Sequence, residues 1–460
     1  MLRWSGARKR AGRPDASPGG RAGPVLPSVA GVSHPRSPAR AAARPAARHG
    51  WVHALVTVLA ALLAMLVVAA LGLWAAGAAD LPDGAFPRVV AATVVTSVGG
   101  SVSLSGSAGE LAGSRGELTV IPLSVTLTGA LVLAAGFLRP LRHRAVAGAG
   151  ELAGWALRVA VLWLLGLLAL ALAARQTFAV SLGRSELDDL GELFGVSPRV
   201  GFTTDVPLSL FFGLVWLAGV LVLALLVAPG APLPGRLLRF RQTVRPAAYA
   251  MVALLLAYVA LGVVVGVVVL CTRGHPAQTL AVILLGLPNL VWLALTLGLG
   301  ATWEGRVDGP FGLPMPHVLD EVLRGSDTAT LNLRTLAEHD GRAWWLLVVA
   351  AVLVLTAAFL MASRSPERTR LWQHALHMAV GLVLTVLAVC LLGRLSAHFG
   401  LSVLGLGDLG GGLSGRLFLR PHLWTALGLA ALWGLVTGCL GGLLARGVRR
   451  GRRPDAPGQG

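Results

Sequence analysis

The chain has 460 residues, of which 55% are hydrophobic and 13% charged, with a formal charge of +18. A soluble domain carries about a quarter charged residues, so a water-soluble globular fold is excluded. The positive charge does not point to nucleic acid, because the arginines sit in short loops beside apolar runs, where they orient a membrane protein.

Residues 1–50 are rich in Arg, Pro, Ala, Gly and Ser and read as a disordered basic tail, too poor in large apolar residues to offset its ordering entropy. The apolar stretch from Val52 to about Ala79 is too long for a signal-peptide core, so it reads as a first span. Further apolar segments follow at about 86–100, 119–138, 152–174, 207–228, 248–271, 277–300, 342–362, 372–393 and 423–445. Each run of about 20 residues is long enough to cross about 30 Å of hydrocarbon as a helix. Cys271, Cys390 and Cys439 lie in or at the ends of these runs without ligand spacing, and read as small buried hydrophobes.

Charge decides how many segments cross. Ten crossings would put "RPLRHR" (139–144) and "RLLRFRQTVR" (236–245) outside, against the positive-inside preference. If 86–100 and 277–300 each enter from the outer face and return to it, about 25 of the 39 basic residues become cytoplasmic, and about 17 of the 21 acidic ones lie outside. The arrangement is eight spans plus two re-entrant elements, with both termini cytoplasmic.

Within "GLPNLVWLALTLGLG" (286–300), Pro288–Asn289 supplies the expected reversal, since proline removes a helix hydrogen bond and clashes with the preceding turn. "SVGGSVSLSG" (97–106) is the same device in the first half, with Gly99–Gly100 as breaker and Ser101 as polar tip. Backbone reversing at that depth has to be buried or line a wet cavity. An ordinary kinked span over 277–300 is the alternative. "GELTVIPLSVT" (116–126), after a Gly-rich turn, predicts a small extracellular hairpin. "PHVLDEVLRGSD" (316–327) predicts a short amphipathic helix.

An internal repeat runs through this order. "WALRVAV" (155–161) aligns with "HALHMAV" (374–380), and in that register Arg175 falls on Arg394 and "DLG" at Asp189 on "DLG" at Asp408. Four spans per half make the repeat parallel, about an axis along the membrane normal. The domains are 51–228 and 248–445, joined by a cytoplasmic linker over 229–247, with a second disordered tail over 446–460.

Candidate sites follow. Thr96, Gly99, Gly100, Ser101, Pro288, Asn289 and Thr296 would line a midplane pore or solute site between the two broken helices. Arg175, Asp189, Arg394 and Asp408 would form an extracellular rim, or merely end a span and cap a loop helix. Arg158, shallow in its span, reads first as snorkelling to the headgroups; as an intramembrane charge it is also a candidate gate or coupling residue with its repeat counterpart His377. His374 and His377 share a helix face and read as an interfacial pair. His317, Asp320 and Glu321 match no strong ligand pattern. No metal, cofactor or catalytic group is predicted, and the chain does not read as an enzyme.

The segment "VTSVGGSVSLSG…GELTVIPLSVTLTGALVLAAGFLRPLR", with "LLGLPNLVWLALTLGLGATW", resembles the streptophobe family of bacterial integral membrane proteins over residues 51–446. The Val-Gly-Gly-Ser break, the proline-bearing hairpin and the Leu-Pro-Asn break carry the resemblance. It implies a multi-pass protein of the bacterial plasma membrane and supplies no ligand or catalytic residues. The function expected is channel- or transporter-like, with the lipid bilayer and a small solute as partners. A non-transporting envelope scaffold, docking another envelope protein or a second copy, is the alternative.

Overall fold

The computed structural model describes residues 39–81, 84–108, 112–141, 149–179, 199–228, 235–272, 274–307, 329–366, 369–403 and 415–451, and residues Arg48–Gly460 form one compact unit. The first half contains α1 (Ala39–Ala75), α2 (Ala85–Ser97), β1 (Val102–Ala108), β2 (Ala112–Thr119), α3 (Leu123–Leu138), α4 (Ala149–Ala173), β3 (Gln176–Ala179), β4 (Arg199–Thr204) and α5 (Val206–Val227). The second contains α6 (Gly235–Thr272), α7 (Pro276–Gly298), β5 (Trp303–Val307), β6 (Ala329–Leu331), α8 (Leu333–His339), α9 (Trp345–Arg364), α10 (Leu371–Leu392), β7 (Leu395–Val403), β8 (Gly415–Pro421) and α11 (Leu423–Gly451).

Among the described residues, eight helices are long and apolar enough to cross a membrane, and the chain is a helical multi-pass membrane protein. The eight include Pro276–Gly298 and leave out Leu123–Leu138, whose 16 residues span only about 24 Å. Helix α4 shows why these helices need lipid. Trp155, Val159, Trp163, Leu167 and Ala171 are buried at a four-residue spacing, while Leu157, Leu165 and Leu172 on the opposite face stay apolar and exposed. A helix that is hydrophobic all round has no water-facing side.

The strands exceed expectation. The single predicted hairpin is present as β1–β2, but it belongs to an eight-stranded antiparallel sheet of order β3-β4-β1-β2-β7-β8-β5-β6. The last four strands repeat the order of the first four. Register repeats with them: Val102 lies opposite Leu118 and Thr204, and Trp303 lies opposite Leu331 and Pro421. Gln176 pairs with Phe202 as Leu395 pairs with Leu419. A slip of one residue would turn every side chain to the other face, so agreement at all three pairings is a strict match. Because one sheet collects the adjoining helix ends, those ends share one side of the molecule, the strand side.

The ends of α2 and α7 also match. Gly99 has φ 96° and Gly300 φ 92°. In the first, Gly99 N donates to Thr96 O at 3.0 Å and Gly100 N to Val95 O at 3.1 Å. In the second, Gly300 N donates to Leu297 O and Ala301 N to Thr296 O, both at 2.9 Å. Each is a Schellman ending, in which a left-handed residue lets the last carbonyls find partners. Both helices then lead directly into a strand, β1 or β5.

Several expectations are corrected. Helix α7 is continuous from Pro276 to Gly298 with Pro288 inside it, so Pro288–Asn289 is not a reversal. Proline removes one hydrogen bond, and packing against neighbouring helices can cover that loss. The turn comes at Leu299–Gly300. Residues 39–50, read as tail, are helical, in keeping with six alanines between Ala39 and Ala47. Helix α6 starts at Gly235, within the expected linker, and α11 continues to Gly451, within the expected tail. Of the three cysteines only Cys390 is buried. The expected helix over 316–327, the two "DLG" motifs, and residues His317, Asp320 and Glu321 lie outside the described residues.

Each half has its own apolar core. One gathers Met65, Val94, Leu133, Phe137, Trp163 and Leu217; the other gathers Met251, Leu295, Met361, Met378, Val386 and Cys390. In the second, α11 presses its glycines on neighbouring backbone: a Cβ at Gly434 would lie 2.4 Å from Ala379 Cα, and one at Gly438 2.7 Å from Ala375 Cα. Spacing small residues four apart lets two helices approach this closely in lipid, where dispersion rather than hydrophobic burial drives association.

Candidate functional site

A cavity of about 440 Å³ lies between the two halves, beneath the sheet. Its first-half wall is the α2 face bearing Thr93 and Thr96, the end of α1, and the Val120–Leu123 connector. Its second-half wall is α7 from Ala281 to Leu293, with Trp303 and the Leu417–Leu419 stretch of β8. The volume falls within the range of about 300–1,000 Å³ common for ligand pockets.

Asn289 ties the halves together. Its Oδ1 accepts from Leu123 N at 3.1 Å and its Nδ2 donates to Ile121 O at 2.9 Å. Leu123 opens α3, where the first amides have no helical acceptor, and Pro122 before it offers no side-chain cap. The amide from α7 supplies that cap across the seam. At the next residue, Ser124 Oγ donates to Ile283 O at 3.0 Å. Thr126 Oγ1 donates to Ser97 O at 2.6 Å, fixing the end of α2 to the same helix.

The other polar side chains on the wall are also engaged. Thr96 Oγ1 donates to Thr93 O at 3.0 Å, and Thr93 Oγ1 to Val89 O at 2.8 Å. Trp292 Nε1 donates to Leu255 O at 3.2 Å. Trp303 Nε1 donates to Thr296 Oγ1 at 3.0 Å, and that hydroxyl donates in turn to Leu293 O at 2.8 Å. Both indoles therefore turn hydrocarbon towards the cavity.

Of the residues expected to line a site, the structure brings Thr96 and Asn289 to one cavity. Thr296 is fully buried behind Trp303 rather than lining it. Gly99 and Gly100 face α5 instead, with positions for a Cβ 3.1 Å from Phe212 and 2.7 Å from Ser209 Oγ. Ser101 and Pro288 are not on the wall. The cavity lies at the strand-side end, because both helix breaks feed straight into strands and the first residues of α3 form part of its wall.

Arg175 and Arg394 are exposed and stand immediately before β3 and β7, at matching places; their expected partners Asp189 and Asp408 lie outside the described residues. Arg158 stands over the Trp51 ring, 5.9 Å from its centroid. His377 is half-buried on α10, in the other half, and His374 beside it is buried. The described residues contain no group of three or more metal-ligating side chains.

Sequence reasoning missed the cavity walls from β8 and Trp303, and the pair His422 Nε2–Glu304 Oε1 at 2.7 Å on the strand side. The sheet brings these distant residues together, and no spacing in the chain signals it. Set against known proteins, the chain matches no family model, no curated protein and no solved structure.

Proposed function

We propose that this protein handles a solute at the seam of two parallel repeats, in the manner of a channel or transporter. The observation that carries the reading is the cavity that joins Thr96 of one half to Asn289 of the other. The repeated sheet order and the two Schellman endings support an internal duplication. With α6 read as a crossing, α7 would start on the strand side and finish in β5, also on that side. On this reading α2 and α7 are both re-entrant, with breaks at Gly99 and Gly300. Arg139, Arg364, Arg370 and Arg446 stand at or near the helix ends remote from the strands, which on this reading makes the far side cytoplasmic by the positive-inside preference. The resemblance to the streptophobe family rests on its residue stretches alone and assigns no substrate.

A second reading is favoured by the breadth of the sheet, which caps the strand side and could dock another envelope protein without any passage. Thiol accessibility separates the two. With the three native cysteines replaced, Thr96→Cys and Gly286→Cys are expected to react with a small membrane-permeant thiol reagent. If both stay inert the seam is closed, and the docking reading replaces the solute site.

A further inference from the structure

We propose that the seam cavity holds a hydrocarbon chain of a membrane lipid drawn from the strand-side leaflet, an inference that rests on the seam being a solute site. Thr93, Thr96, Asn289, Trp292 and Trp303 each bond to protein already, and the wall between them is aliphatic and aromatic. A polar solute would shed its hydration here and find few groups to replace it. Water gains little in such a space, because a stable buried water needs two to four polar partners. Leaving the space empty would forfeit dispersion contacts on every lining atom. An apolar guest resolves both costs.

The bilayer is the source within reach. A Cβ at Gly286, on the cavity wall, would meet nothing within 4 Å, which leaves free space beside α7. Helix α6 packs along α7, with Trp292 bonded to Leu255 and Gly262 against Val291. Beyond that contact α6 exposes Val264, Val265 and Val268, a surface that only lipid would cover. Acyl chains thus lie against the helix next to the wall.

The test uses the full-length protein in phosphatidylcholine vesicles doped with a phospholipid bearing a diazirine in its acyl chain. After illumination, adducts are expected on the cavity wall (Ala281–Leu293 and Leu417–Leu419) as well as on the lipid-facing Val264–Val268. Gly286→Trp, which fills the cavity, is expected to lower the wall adducts by about tenfold and leave those on Val264–Val268 unchanged. If that variant does not fold, Gly286→Leu replaces it with the same expectation. An unlabelled wall, with Thr96→Cys open to a polar thiol reagent, would sink the lipid inference and leave a solute site for a hydrophilic guest. An unlabelled wall with an inert thiol would remove both.

Discussion

One amide at Asn289 serves two helices, because it lies in α7 yet caps α3. Replacing it by leucine leaves Leu123 N–H and Ile121 C=O without that partner, and a buried unmade bond costs about 1–3 kcal/mol. Asn289→Leu is therefore expected to lower the melting temperature in detergent, whereas Thr96→Val, which loses a bond within its own helix, should change it less. The left-handed glycines make a second expectation: Gly300→Ala should cost about 1–2 kcal/mol, measured by the same melting curve. At this scale the sequence was partly legible. Consecutive glycines in "SVGGS" announced a true break. Asn289 was singled out for its polarity, but its partners Ile121 and Leu123 lie more than a hundred residues away, so spacing could not reveal its work as a cap.

Helix α7 shows where local rules lose to packing. Proline discourages helix at the preceding turn, and the Leu-Pro-Asn step therefore read as a reversal, yet the helix continues for ten residues past Pro288. Contacts with α3, α6 and α9 hold both limbs in line, and the true end is written by Gly300. Pro288→Ala is accordingly expected to keep the fold and to match or exceed the parent's melting temperature, which a reversal at that point would forbid. The helical spans were plain because twenty apolar residues leave few alternatives. The strands were obscure because most are short and flanked by Gly-rich segments, and their pairings join distant parts of the chain. Close glycine packing on α11 yields another expectation: Gly438→Ile should collide with the α10 backbone and sharply reduce the yield of folded protein, read by monodispersity in detergent.

At the scale of the whole molecule, charge along the chain sorts the loops by side but carries no information on the shape of any element. Counting arginines by loop asks that 277–300 begin and end on one side, whereas α7 is an unbroken helix of 23 residues, also long enough to cross. Topology reporters placed after Gly274 and after Gly305 should report the same side, with one after Pro366 reporting the other; disagreement between the first two would make α7 a full crossing. The sheet adds a constraint of its own. Its outermost strands, β3 and β6, have four and three residues, and such short edges offer little to a stray strand. Where the halves meet, β2 and β7 pair over eight positions. Cutting the chain at 229–234 would therefore trade blunt borders for long adhesive ones. Fragments made separately should clump, while fragments made together should find each other and restore the parent's melting curve: the two repeats are chaperones for one another's inner edge.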